Sequence, residues 1–261
     1  MVFGGPYSNL QATLAVKAEA ERLAIAPNRC LCTGDVVAYG ADPQDTVALI
    51  RDWGASVVMG NCEESLATGA EQCGCGFEEG SACDVLSKQW FGYATARLDA
   101  DSRDWMGALP KMVRFELAGR RVAAIHGGVD NISRFIFAST AEEEKRKQAA
   151  AANADVILAG HCGLPFTQVL ANGAIWHNAG AVGMPANDGT RDVWYSLLTP
   201  TKDDLDITHH RLAYDHRRAA VRMRAEGLAE GYALALETGC WPSLDVLPPD
   251  ERAATGRRLD L

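Results

Sequence analysis

Positive charge is scarce in this chain: Lys and Arg number 25 against 34 Asp and Glu, giving a formal net charge of -9. A nucleic-acid backbone is bound by clustered Lys and Arg, so duplex nucleic acid is excluded as the main partner. Long apolar runs are missing too. None approaches the ~18 residues of a membrane span, and Met1-Val2-Phe3-Gly4-Gly5 has neither the basic nor the apolar region of a secretory signal. The expectation is a cytoplasmic protein without membrane contact. Aromatic residues make up only 7%, but 48% hydrophobic and 23% charged residues exclude disorder and coiled coil. A length of 261 residues suits one domain over 1–261 with a substantial core.

Eight cysteines are too few for a disulfide scaffold in a chain of this length. Cys30, Cys32, Cys62, Cys162 and Cys240 sit among apolar neighbours, as buried free thiols do. Cys73, Cys75 and Cys83 cluster, but zinc takes four ligands with wider spacers, so this stretch reads as a Gly-rich surface loop.

Short apolar strands alternate with amphipathic helices. Leu10 to Ala24 reads as a helix stopped by Pro27-Asn28, and Asp42-Pro43 opens a second helix that ends at Gly54. Residues 62 to 110 hold one or two helices, with Asp84 capping the first. Met112 to Leu117 and Val122 to Ile125 read as a hairpin, and Asn172-Gly173 marks another. Thr140 to Glu143 reads as a capping box opening a helix to Asn153. Strands are expected at 191–198 and 205–212, helices within 214–239, and a loosely held tail over 245–261.

Four strands end in a residue that can bind a metal: Asp35 after Cys32-Thr33-Gly34, Asn61 after Val58-Met59-Gly60, His126 after Ala123-Ala124-Ile125, and His161 after Leu158-Ala159-Gly160. Ligands gather beyond the carboxyl ends of strands in α/β sheets, so four such ends can converge on one point. One carboxylate, one amide oxygen and two imidazoles suit Mn, Fe or Zn rather than calcium.

In order and spacing, Gly34-Asp35-Val36-Val37-Ala38-Tyr39-Gly40, Gly60-Asn61-Cys62-Glu63, His126-Gly127 and Gly160-His161 resemble the motifs of the calcineurin-like metallophosphoesterase superfamily, in particular its compact prokaryotic branch. Asn178-Ala179-Gly180-Ala181-Val182-Gly183 resembles a further segment of that branch. The resemblance implies an α+β four-layer αββα sandwich, with two mixed β-sheets face to face, flanked by helices, and a two-metal site at the strand ends.

The family's first motif, Asp-x-His-Gly-Asn-Leu, stands here as Gly5-Pro6-Tyr7-Ser8-Asn9-Leu10. Gly5 and Tyr7 thus replace two ligands, and Gly163 replaces the second His of Gly-His-x-His. All three losses fall on one metal position, while Asp35, Asn61, His126 and His161, the ligands of the other, are present. The resemblance therefore implies about one divalent transition metal per chain (Mn, Fe or Zn), with metal-bound water as nucleophile. Cys62 stands where many relatives carry a His that protonates the leaving group.

The catalytic candidates are Asp35, Asn61, His126 and Cys62. Tyr7, Arg134 and His177 are candidates for substrate contact, and Cys162 for a substitute ligand. For Tyr7, a phosphate contact and a ring plugging the vacated space are both open. The expected function is phosphodiester or phosphomonoester hydrolysis on a phosphorylated small molecule or nucleotide. The alternative is a catalytically silent module that binds a nucleotide or a protein. The oligomeric state, dimer included, is left open.

Overall fold

The computed structural model describes residues 1–202 and 204–261. Its strands are β1 (Val2–Phe3), β2 (Leu31–Cys32), β3 (Ser56–Val57), β4 (Met112–Leu117), β5 (Arg120–Ile125), β6 (Val156–Ala159), β7 (Pro165–Val169), β8 (Ile175–Ala179), β9 (Val193–Pro200) and β10 (Leu205–Leu212). They form two five-stranded sheets in the orders β10-β9-β1-β2-β3 and β4-β5-β6-β8-β7. Each sheet has a parallel run, β1-β2-β3 at one side of the first and β5-β6-β8 in the middle of the second, completed by antiparallel pairs. Both sheets are therefore mixed.

Strand periodicity sorts the core into layers, because successive side chains point to opposite faces. Val122 and Ala124 of β5, Val156 and Leu158 of β6, and Ile175 of β8 pack with Val2 of β1 and Leu31 of β2 in one buried cluster between the sheets. Their neighbours Ala123, Ile125, Ile157 and Trp176 face outward into a second cluster. Phe3 and Cys32 point the other way, under the helices of the first sheet.

That outer layer includes α1 (Leu10–Arg22) and α2 (Pro43–Trp53), and Phe3 stacks on Trp53 with ring centroids 5.4 Å apart. Gly54 ends α2 in the left-handed region at φ 75°, and both helices match their sequence signals. Two inward layers of sheet and two outward layers of helix make the four-layer αββα sandwich.

Several local expectations are corrected. Residues 62 to 110 hold three helices, α3 (Asn61–Thr68), α4 (Ala82–Thr95) and α5 (Ala100–Gly107). Ser81, rather than Asp84, caps α4 by accepting from Asp84 N. The capping box at Thr140 does not form, because Thr140 Oγ1 instead accepts from Phe137 N at 2.9 Å. Helix α6 accordingly starts at Glu142 and runs to Ala151.

Helices α7 (His216–Ala225) and α8 (Glu230–Thr238) fall within the expected helical stretch. The C-terminal segment is tied down rather than loose. It carries α9 (Pro249–Ala253), and Leu259 N donates to Asp188 Oδ2 while Leu259 O accepts from Arg211. No helix among the described residues is long and apolar enough to cross a membrane.

Candidate metal centre

The parallel strands end on the same rim, and the turns leaving β2, β3, β5 and β6 carry Asp35, Asn61, His126 and His161. Nε2 of His126 is the hub of the group. It lies 3.0 Å from Asn61 Oδ1, 3.1 Å from His161 Nδ1 and 3.2 Å from Asp35 Oδ2. Asp35, Asn61 and His126 are at most 5% exposed.

The surroundings fix which atoms face the centre. His126 Nδ1–H donates to Thr33 O at 2.6 Å, so Nε2 presents a lone pair. Asn61 Nδ2 donates to Cys73 O at 3.0 Å, which turns Oδ1 inward. Asp35 Oδ1 accepts from Cys62 N at 3.2 Å, which leaves Oδ2 toward the histidines. Four potential ligand atoms thus face one another, Asp35 Oδ2, Asn61 Oδ1, His126 Nε2 and His161 Nδ1. Such a set is satisfied by a cation at its middle, and its mixed N and O donors fit a divalent transition metal.

The turns are held in costly conformations. Asp35 and His161 are both at φ 57°, in the left-handed region that non-glycine residues rarely occupy. Glu63 secures the first of these turns. Its carboxylate is fully buried and accepts from Asp35 N at 2.7 Å, Gly60 N at 2.9 Å and Val37 N at 3.3 Å. Asn178 secures the second, donating to Gly160 O at 2.7 Å. Gly60 must be glycine, because a Cβ there would collide with the Asp35 carboxylate and backbone.

Electrostatics follow from burial and crowding. Burial works against ionisation of both Asp35 and His126, but their mutual attraction prevails: the carboxyl falls below its usual range and the imidazole rises above its own. Burial and the neighbouring His126 push His161 down to about 3, so it stays neutral. Burial, then Asp35, raises Glu63 to about 7.

Of the replaced positions, Tyr7 is the informative one. Its ring occupies the volume that a side chain on Gly5 would need, and its hydroxyl comes within 3.6 Å of where a Cβ on Gly163 would stand. One tyrosine therefore fills the space between Gly5 and Gly163, the plug that the sequence left open. Its ring meets Tyr39 edge-on at 5.0 Å.

Of the other candidates, His177 and Arg134 lie away from the centre, while Cys62 and Cys162 lie beside it as buried thiols. His177 is fully buried between the sheets, with Nδ1 2.8 Å from Thr167 Oγ1, and does not reach the centre. Arg134 pairs with Asp130 at 2.8 Å and Glu144 at 3.3 Å. Cys62 is 1% exposed, and its thiol faces the Asn61 amide. Burial and Asp35 keep that thiol protonated. Burial pushes Cys162 up to about 12, which makes it a poor thiolate ligand, and its Sγ accepts from Asn178.

The Cys-rich stretch is a loop with an exposed backbone run, as expected, but two of its side chains turn inward. Cys73 and Cys75 are buried and disulfide-bonded, and the Cys73 carbonyl orients Asn61. Glu63, Phe135, which packs on His161 at a centroid distance of 4.1 Å, and the disulfide are the contributors that sequence reading missed. Glu63 lay inside a recognised motif and was signalled only by its adjacency to Asn61-Cys62. Phe135 carried no signal.

The profile of the calcineurin-like phosphoesterase superfamily domain matches residues 10–203. The chain belongs to that superfamily. An uncharacterized protein of Methanocaldococcus jannaschii is 24% identical to this phosphoesterase-family chain over 240 residues, covering 86% of it and 91% of the relative. Among solved structures, a hypothetical protein of Pyrococcus horikoshii aligns at TM-score 0.76 and 15% identity, covering 92% of this chain and 98% of its own. A metallophosphoesterase of Sphaerobacter thermophilus aligns at TM-score 0.70 and 20% identity, covering 91% and 97%. At such identities the structural matches establish the shared fold.

Proposed function

We propose that this chain is a metal-dependent phosphoric ester hydrolase working with one divalent transition metal, held by Asp35, Asn61, His126 and His161. The observation that carries the reading is the convergence of Asp35 Oδ2, Asn61 Oδ1 and His161 Nδ1 on His126 Nε2 at 3.0–3.2 Å, four potential ligand atoms in one buried cluster. A divalent cation satisfies all four atoms at once, whereas a proton on His126 Nε2 can point at only one of its neighbours.

The bound cation would polarise a phosphoryl oxygen and acidify water. The chain's own groups prepare the ground for it. The Thr33 carbonyl and the Cys73 carbonyl aim His126 and Asn61, and Glu63 holds the Asp35 turn. Tyr7, kept a neutral phenol by burial and by Asp35, retains its proton to donate to a phosphoryl oxygen. The apolar cleft beside the centre limits competing water.

A second reading, a silent binding module, draws on the same Tyr7 ring, since filling one metal position removes half of a two-metal clamp. Elemental analysis of protein purified without chelator or nickel resin separates the two when paired with hydrolysis of bis(p-nitrophenyl) phosphate in Mn, Fe or Zn. The hydrolase reading expects about one metal per chain, lost in Asp35→Asn together with turnover. A metal-free protein after incubation with all three ions would overturn it and leave the binding module.

A further inference from the structure

A narrow cleft with a cavity volume of about 70 Å³, continuous with open solvent, adjoins the centre and is walled by Asp35, Asn61 and His161 at one end. Its walls are not ordinary for a phosphate site. Tyr7, Tyr39 and Tyr232 form one aromatic run, with centroids 5.0 and 4.7 Å apart. Phe77 and Phe135, 6.2 Å apart, form another that continues onto His161. Trp241 joins them, its indole N–H tied to Pro185 O at 2.7 Å.

Among the described residues no Lys or Arg lines this cleft. Arg134, the nearest candidate from sequence, is occupied by Asp130 and Glu144. At the N-terminus of α3, the N–H of Cys62 is taken by Asp35. Dianionic phosphates are commonly held by Arg forks or Lys, and neither lines this cleft among the described residues.

We infer that the ester this site accepts is a monoanionic phosphodiester carrying an uncharged aromatic or similarly flat apolar group, with phosphomonoesters and polyphosphates rejected. The inference rests on the metal-site reading and adds the substrate class. Charge decides the first half. A divalent cation against the Asp35 carboxylate leaves at most one net positive charge. A diester monoanion is neutralised; a monoester dianion keeps an uncompensated charge between aromatic walls, where charge is costly. The six rings decide the second half, since flat apolar groups gain most from stacking in such a slot.

The test is calorimetric binding to the metal-loaded full chain, which does not depend on turnover. Diphenyl phosphate should bind at least tenfold more tightly than dimethyl phosphate, which has the same charge without rings, and than phenyl phosphate, which has a ring and an extra charge. Trp241→Ala should weaken diphenyl phosphate severalfold and leave dimethyl phosphate unchanged. Ser243→Lys, which places a cation in the cleft wall, should shift binding toward phenyl phosphate by about tenfold.

Equal binding of phenyl and diphenyl phosphate would overturn the charge argument, and equal binding of dimethyl and diphenyl phosphate the aromatic one. Selective binding of diphenyl phosphate without hydrolysis of any ester would sustain this inference while defeating the hydrolase reading. Hydrolysis of p-nitrophenyl phosphate as fast as its bis ester would do the reverse.

Discussion

The Tyr7 hydroxyl ends 3.6 Å from the point where a Cβ on Gly163 would stand, so the loss of one side chain and the gain of the other are a single packing event. Gly163 sits at φ 70°, with the Trp241 ring 3.5 Å from that same point. Gly163→Ala should therefore lower stability by about 1–2 kcal/mol through backbone strain, read as a drop in melting temperature with metal stoichiometry unchanged. Gly163→His alone should gain no second metal, because the ring still fills the space. The triple replacement Gly5→Asp, Tyr7→His, Gly163→His should raise the metal content from one to two per chain. A second metal in the single variant would show that Tyr7 does not block the position.

Glu63 supplies a different kind of support. Its carboxylate receives three backbone N–H groups while fully buried, and Glu63→Gln would turn an amide NH₂ toward donors it cannot satisfy. The expected loss is about 1–3 kcal/mol in chemical denaturation. Because those bonds hold the Asp35 turn at φ 57°, metal affinity should fall by roughly 10–100-fold as well. Unchanged metal affinity in a destabilised variant would confine Glu63 to a structural role.

How much of this was readable in sequence depended on how local the cause is. Asp35, Asn61, His126 and His161 each sit in a short strand-turn signature, and the four-layer arrangement follows from alternation such as Val122/Ala123/Ala124/Ile125. Those signals survive without knowledge of neighbours. The Thr140 capping box failed because a competing acceptor use, the Phe137 N–H, lies just outside the motif. His177 looked available at a strand end, but only the packing of the two sheets pairs it with Thr167 and His209. The surface-loop reading of Cys73 and Cys75 stands, but nothing in Cys-Gly-Cys announces that the Cys73 carbonyl meets Asn61. Tyr7 as a plug required knowing that Gly5 and Gly163 converge.

The disulfide loop gives a third prediction. Cys73 O fixes the Asn61 amide at 3.0 Å, and Cys73 and Cys75 are bonded to each other. Reduction with a phosphine, or Cys75→Ser, should loosen the carbonyl and lower metal affinity by roughly tenfold, the scale of losing an outer-shell partner. The comparison is a metal titration of oxidised and reduced protein, with thiol counting to confirm the redox state. Identical affinities would mean that the Cys73 carbonyl stays in place without the bond.

The last prediction concerns pH and lies away from the metal centre. Thr167 Oγ1 bridges His177 Nδ1 at 2.8 Å and His209 Nε2 at 2.9 Å, and Ser196 Oγ meets the other nitrogen of His209 at 3.2 Å. Burial holds His177 well below its usual value, and burial together with His210 lowers His209 from 6.5 to about 4. Between those two values the unfolded chain binds a proton at His209 that the folded chain does not. Unfolding free energy therefore falls as pH drops from 6.5 toward 4, and is fully retained above 6.5. After allowance for partial exposure of the ring, the loss from His209 is about 1–2 kcal/mol. His209→Gln keeps a polar partner for Thr167 but cannot titrate. Its melting temperature should decline less steeply than that of the unchanged chain between pH 7 and pH 5, measured with both proteins in the same metal state. Parallel declines would place the acid sensitivity elsewhere, with His161 and Asp35 the next groups to examine.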